Sequence, residues 1–375
     1  MSENVEDQLN GSAAQQSVPS DMGFRHISRA LNAGEPVRTP WLGSYLMFRR
    51  AHDAATPAEL FEKLASLGAP ASPIIDRFRG AMLGLAIGDA LGTTLEFAPR
   101  DQQKVTDIVG GGPFELLPGQ WTDDTSMACC LAYSLIKSEG FDPKHQMESY
   151  VHWYLHNAYS PTGRLVDIGN TVRQALDRFL ATGEPFAGST AADAAGNGSL
   201  MRLAPVALFF HPSFEKTVHF AGESSRTTHQ AREAIDACRY LGALLHGALA
   251  GVDKQLLLSE RYSPVAGYWD AHPLSPAIEK VACGSYRGKE RGAISSSGYV
   301  VHTLEAALWA FARTTDFRAG ALDAVNLAGD ADTVGAVYGQ LAGAFYGETG
   351  IPADWIAKTQ AAHGFYHFAE DLLHE

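Results

Sequence analysis

Gly119-Gln120-Trp121-Thr122-Asp123-Asp124-Thr125-Ser126 runs without a break into the apolar segment 127–136. From Thr125 onward Met127, Cys130, Leu131 and Leu135 recur at helical spacing, so a buried helix starts here. The Thr-Asp-Asp-Thr cluster therefore falls at a helix N-terminus, where free N–H groups and the macrodipole favour carboxylates and hydroxyls. Taken alone it reads as an N-cap. A second stretch, Gly329-Asp330-Ala331-Asp332-Thr333, also runs straight into a helix, with Val334, Val337, Tyr338, Leu341 and Phe345 on one face. A cap needs one acceptor, whereas these two turns together hold four carboxylates and several hydroxyls. All are hard oxygen donors, with no His or Cys among them, which is the ligand set of Mg²⁺ or Mn²⁺ and not of zinc. Brought together, the two turns would form an oxygen-lined site able to hold two divalent cations.

The surrounding chain reads as helices joined by polar, glycine-rich loops. Residues 74–91 carry Gly80, Ala81, Gly84, Ala86, Gly88 and Ala90, small residues that let another helix approach closely. Asp89 and Glu96 flank the end of this segment, and Gly92 supplies a stop signal. Further helices are predicted over 143–156, 170–180, 201–210, 214–225, 229–250, 276–282, 299–314, 317–327, 332–346 and 352–373. No segment shows the sustained alternation of a strand, so the expected class is an all-α globule.

Three loops have more polar and glycine content than a connection needs: 160–163 with 167–171, Gly196-Asn197-Gly198-Ser199-Leu200-Met201-Arg202, and Ser225-Arg226-Thr227-Thr228-His229. Each reads singly as capping chemistry. The glycines at 196 and 198 would also let backbone N–H groups approach a phosphate at a helix start. Two histidine pairs, His152/His156 and His363/His367, have helical spacing but lack the glutamate of a metalloprotease helix and are embedded in aromatics, so they read as packing or surface residues.

A chain of 375 residues, 46% hydrophobic and 19% charged, has globular composition and enough length for a large core. Its net charge of −13 argues against gripping nucleic acid through phosphates. The four cysteines, Cys129, Cys130, Cys238 and Cys283, show no zinc-knuckle spacing and read as buried free thiols in a reducing compartment. With no apolar run of about 18 residues and no signal-peptide shape, the expectation is a cytoplasmic protein with no membrane partner. Residues 1–20 are too polar to pack and read as a disordered tail. Residues 21–72 form an extension in which Trp41, Leu42, Tyr45, Leu46, Met47 and Phe48 precede Arg49 and Arg50. That run either packs on the main domain, 73–375, or docks on a partner.

Several of these segments together resemble the ADP-ribosylglycohydrolases. They are Asp76-Arg-Phe-Arg-Gly-Ala-Met-Leu-Gly-Leu-Ala-Ile-Gly-Asp-Ala-Leu-Gly92 with Glu96, Trp121–Thr125, Gly196–Arg202, Thr228-His229 and Gly329–Thr333, in the family's order and spacing from about Asp76 to Tyr346. The resemblance implies an all-α orthogonal bundle, a dinuclear Mg²⁺ or Mn²⁺ site, and removal of ADP-ribose from a modified protein side chain, usually arginine. By position, Thr122, Asp123, Asp124, Asp330, Asp332 and Thr333 would ligate the metals, with Asp123 and Asp332 central to catalysis. Glu96 would stand beside them to position water. Asp167, Gly196, Asn197, Gly198, Ser199 and His229 would line the ADP-ribose cleft. The extension is the departure from simple members; it resembles immunity proteins that counter ADP-ribosylating toxins.

Chemically, such a site suits an N-glycosidic bond, whose cleavage passes through an oxocarbenium-like state favoured by surrounding carboxylates. Two other readings compete with a hydrolase. One is a binding protein whose extension plugs a toxin's active site. The other is a two-metal phosphohydrolase, disfavoured because such sites commonly include histidine ligands and neither cluster holds one.

Overall fold

The computed structural model describes residues 70–373. The expected tail and the aromatic-arginine run therefore lie outside the described residues, and of the expected extension only residues 70–72 lie within them. Two helices form the central pair: α1 (Pro73–Gly92) and α13 (Ala331–Tyr346). Ser72 caps α1, its hydroxyl accepting from the Ile75 N–H, and Pro73 occupies the first turn, where a missing N–H costs nothing.

The small residues of α1 meet those of α13 backbone to backbone. A Cβ added at Gly80 would lie 2.3 Å from the Gly343 carbonyl oxygen, one at Gly84 2.2 Å from Gly339, and one at Gly88 2.0 Å from Gly335. Descending numbers on one helix against ascending numbers on the other define an antiparallel pair. Its two ends are pinned by carboxylates. Asp76 accepts from the Thr349 N–H and hydroxyl at one end. Glu96, just past the 3-10 turn Thr93–Leu95, accepts from the N–H groups of Ala331 and Asp332 at the other. The glycine stripe thus lays the start of α13 beside the end of α1.

The remaining helices wrap this pair: α2 (Asp123–Ser138), α3 (Pro143–His156), α4 (Asn170–Thr182), α5 (Ala204–Phe210), α6 (Phe214–Arg226), α7 (Arg232–Leu249), α8 (Lys254–Leu257), α9 (Tyr268–Ala271), α10 (Pro276–Ala282), α11 (Val300–Arg313), α12 (Phe317–Val325), α14 (Ala353–Lys358) and α15 (Ala362–Asp371). Among the described residues β-pairing is confined to isolated bridges. One contiguous core runs through the molecule and includes Trp121, Trp153, Trp355, Phe311 and Phe365. Among the described residues no helix is long and apolar enough to cross a membrane. Cys129, Cys130 and Cys238 are buried free thiols, as expected, while Cys283 is exposed.

Three expected helices differ, α7 by starting at Arg232 instead of residue 229. The one expected from residue 201 starts at Ala204, because Pro205 has no N–H to give the Met201 carbonyl and is tolerated only in a first turn. The one expected over 352–373 is broken between α14 and α15, where Ala361 adopts φ 52°. The loop before α2 passes directly against this break. Gly119 (φ 84°) lies where a Cβ would be 1.8 Å from the Lys358 carbonyl oxygen, and its own carbonyl accepts from the Gln360 N–H. That contact costs a helical turn and holds the loop that delivers Thr122.

Candidate active site

The two acidic turns meet. Thr122 is the N-cap of α2 and Asp330 that of α13, and neither cap side chain accepts from a backbone N–H of its own helix. The capping comes from elsewhere. Asp89, wholly buried in α1, accepts from the N–H groups of Thr122 (3.0 Å) and Thr125 (3.1 Å) and from both threonine hydroxyls. Glu96 does the same for the start of α13. With the helix ends already capped, the carboxylates of the turns themselves are released for other work.

Those carboxylates crowd around one hydroxyl. Thr122 Oγ1 lies 3.0 Å from Asp89 Oδ1, 3.1 Å from Asp124 Oδ2 and 3.4 Å from Asp332 Oδ2. One hydroxyl proton cannot serve three acceptors. Asp124 Oδ1 is moreover buried with no hydrogen-bond partner among the described residues. Asp89, Asp124 and Asp332 form one group of converging carboxylate oxygens, and Glu96, Asp330 and Asp332 a second that shares Asp332.

The electrostatics match a cavity short of positive charge. Burial, then Asp167, Asp332 and Asp89, holds the Asp123 carboxyl well above the usual carboxylate range. Burial, then Asp89 and Asp332, does the same for Asp124. Asp332 and Glu96 are raised by burial first and by neighbouring acids after it. Asp330 is raised by burial against opposing hydrogen bonds, the first of them from Asn197. Asp89 reaches only about 6, because the bonds from Thr125 and Thr122 offset much of its burial. An orphaned buried oxygen among acids pushed toward protonation is what a divalent cation would relieve, and hard oxygen donors suit Mg²⁺ or Mn²⁺.

Of the other expected residues, Asp167 and Asn197 reach this centre, while His229 packs against the Gly196–Ser199 turn and Ser199 against Ser225. Asp167 is half-buried, adopts φ 55°, and is near enough to raise Asp123 and Asp330. Asn197 donates from Nδ2 to Asp330 Oδ2 at 2.8 Å and to Thr303 Oγ1 at 2.9 Å. Ser199 accepts from the Ser225 hydroxyl. His229 lies under the glycine loop, with a Cβ at Gly198 falling 2.9 Å from its Cε1. Thr333 follows Asp332 and donates its N–H to Asp332 Oδ1. Gly196–Ser199 does not stand at a helix start; it is a turn that precedes α5 by several residues. Neither histidine pair contributes to a candidate cation cluster among the described residues.

Two features of the site are additional to those expected. Asp89 belongs to it, although its partners lie 33 and 36 residues away and its own surroundings in sequence are apolar. The loop Ser295-Ser296-Ser297-Gly298 also reaches it: Asp330 donates its N–H to the Ser296 carbonyl, and a Cβ at Gly298 would be 3.3 Å from Asp330 Oδ2. A serine run closing on glycine just before α11 was the available signal.

An all-helical enzyme scaffold with an acidic centre built from two helix starts defines the class. The family model for ADP-ribosylglycohydrolase matches residues 70–375, and the chain belongs to that family. It is similar to the ADP-ribosylarginine hydrolase Tri1 of Pseudomonas putida (strain GB-1), 45% identical over 326 residues that cover 86% of this chain and 85% of the relative. The protein of the same description from Serratia proteamaculans (strain 568) is 43% identical over 305 residues, covering 81% of each. The ADP-ribosyl-[dinitrogen reductase] glycohydrolase of Rhodospirillum rubrum is 35% identical, covering 76% of this chain and 90% of the relative. A solved chain described as an ADP-ribosylglycohydrolase-related protein complex superposes with a TM-score of 0.69 at 46% identity, over 80% of this chain and 97% of that one.

Proposed function

We propose that this enzyme is a cytoplasmic ADP-ribosylarginine hydrolase that cleaves the N-glycosidic bond between ADP-ribose and arginine on a modified protein. The observation that carries it is the convergence of Asp89, Asp124 and Asp332 on the Thr122 hydroxyl beside an orphaned Asp124 oxygen. The two similar proteins named Tri1 support the choice of arginine. Thr122, Asp123, Asp124, Asp330, Asp332 and Thr333 would hold two Mg²⁺ or Mn²⁺ ions. Such ions, when bound, supply Lewis-acid polarisation of ribose oxygens and a water of lowered pKa.

The chain's own groups then have separate tasks. The carboxylates surround the sugar with negative charge, favouring the cationic character it acquires as the bond breaks. Glu96, anchored on the Ala331 N–H, is held at the edge of the cluster, where it positions water. Asp167, near enough to raise Asp123 and Asp330, lines the ADP-ribose cleft. The Gly196–Ser199 turn and His229 bind ADP-ribose. Incubation with an ADP-ribosyl-arginine protein and Mg²⁺ should release ADP-ribose, and EDTA should stop it; release undiminished by EDTA rejects the metal assignment.

A second role rests on the extension. Trp41 to Phe48 carry more aromatic surface than a solvated arm needs, and Arg49 and Arg50 follow in a chain of net charge −13. In this reading residues 1–20 are a tail, 21–72 a module that plugs an ADP-ribosylating toxin, and 73–375 the hydrolase. The protein then protects as an immunity factor by blocking the toxin and by erasing its product. Removing residues 1–70 should leave hydrolysis intact and abolish tight binding of the toxin. Asp123→Ala should do the reverse. Binding-only neutralisation is the outcome if the full chain holds the toxin yet never releases ADP-ribose.

A further inference from the structure

Arg202 is completely buried, yet among the described residues no carboxylate pairs with it. A buried cation without an anion is expensive, so its other contacts bear on why it is there. Its guanidinium donates from one terminal nitrogen to the Gly198 carbonyl at 2.8 Å and from the other to Thr228 Oγ1 at 2.7 Å. Its plane lies over the Tyr150 ring, 4.5 Å from the centroid. One rigid fork thus ties the glycine turn on one side to Thr228 on the other.

Thr228 passes that restraint to His229. The Thr228 oxygen lies 2.8 Å from His229 Nδ1 and makes no further hydrogen bond among the described residues. Arginine can only donate, so it occupies a lone pair of Thr228 Oγ1. Were Nδ1 also protonated, it too would donate to that oxygen, and the buried hydroxyl proton would be left without an acceptor. The hydroxyl proton therefore points at Nδ1, and the imidazole proton sits on Nε2.

That Nε2–H has a place to point. A Cβ at Gly196 would come within 3.3 Å of Nε2, and one at Gly198 within 3.3 Å of the same atom. Two glycines keep open a slot in front of a neutral N–H donor, and a donor in a slot selects an oxygen acceptor.

From this geometry we infer that Arg202 is a positioning residue which, through Thr228, locks His229 in the Nε2–H tautomer and makes it a fixed hydrogen-bond donor to an ADP-ribose oxygen in the glycine slot. The inference rests on the assignment of that loop to ADP-ribose, and burial with the nearby Arg202 charge keeps the ring neutral.

The test is on the full chain with ¹⁵N-labelled histidine. The wild-type His229 resonances should show an unprotonated Nδ1 and a protonated Nε2, with or without ADP-ribose. Thr228→Val keeps the shape and removes the hydroxyl; it should release the tautomer and weaken calorimetric ADP-ribose binding about tenfold, whereas Thr228→Ser should restore both. Arg202→Lys, which keeps a cation but loses the fork, should loosen the tautomer likewise. A protonated Nδ1 in the wild type overturns the inference, as does unchanged ADP-ribose affinity in a Thr228→Val protein whose tautomer has shifted. Failure of the wild type to bind ADP-ribose at all would instead strike the functional reading, and the tautomer measurement separates the two.

Discussion

Gly84→Ala tests the central pair because two physical effects predict opposite signs. Gly84 lies in the interior of α1, where exchanging glycine for alanine in an isolated helix gains up to about 1 kcal/mol. In this structure the new Cβ would sit 2.2 Å from the Gly339 carbonyl oxygen and 3.2 Å from the Gly343 Cα. Ordinary carbon contacts lie at about 3.5 Å, so α1 and α13 would have to part by about 1 Å. The obstacle is backbone, which cannot rotate away as a side chain can. Overpacking of this kind costs about 1–3 kcal/mol, and rigid surroundings argue for the upper part of that range.

Packing therefore wins by about 1–2 kcal/mol, which lowers Tm by about 2–3 °C in a domain of this size. The loss should not stop at stability. The same stripe ends where a Cβ at Gly92 would be 2.3 Å from the Asp332 Cα, so a shift of the pair moves Asp332 against Asp89 and Thr122. A displacement of about 1 Å at a reacting centre is worth up to about 100-fold in rate. Calorimetric melting and ADP-ribosyl-arginine turnover should fall together. Gly292→Ala, at a glycine with open space around it and φ outside the left-handed region, should change neither. A rise in Tm for Gly84→Ala would mean that helix propensity governs the site. A fall in Tm with unaltered turnover would mean that the stripe does not position the acids.

Three further outcomes follow from the site and its surroundings. Asp124→Asn removes a charge from a crowded group that has an orphaned oxygen, so calorimetric Mn²⁺ binding should weaken by at least about tenfold while the metal-free protein melts no lower than wild type. Saturating Mg²⁺ at about 100 times its Kd should add about 2.7 kcal/mol of stability, lost again with EDTA. His211 and His229 are both held neutral, at about 4 and about 3 against 6.5, by burial and then by neighbouring His246 and Arg202 respectively. At these two histidines the unfolded chain thus takes up protons first, so wild type should lose urea stability relative to His211→Asn as pH falls from about 6.5 toward about 4, the raised acids contributing equally to both proteins.

The sequence-based expectations succeed where one segment contains both the signal and its cause. Helices α3 and α10 begin and end where expected, because Asp142 caps the first and proline opens both. The acidic turns also announce themselves, since four carboxylates exceed what capping requires. The expectations fall short where the cause lies elsewhere in the chain. Nothing near Pro352 foretells that Gly119 will interrupt the last helix, since the two come together only after folding. Asp89 looks like a stray charge in an apolar helix until Thr122 and Thr125 arrive to be capped by it. Its burial is tolerable only because four donors meet it, and the same donors relieve Asp123 and Asp124 of capping. The glycine stripe joins these facts: it promises a close neighbour without naming one, and its neighbour is the helix whose first turn holds Asp332. Close approach of α1 and α13 is thus the physical event that turns two separate helix starts into one acidic centre.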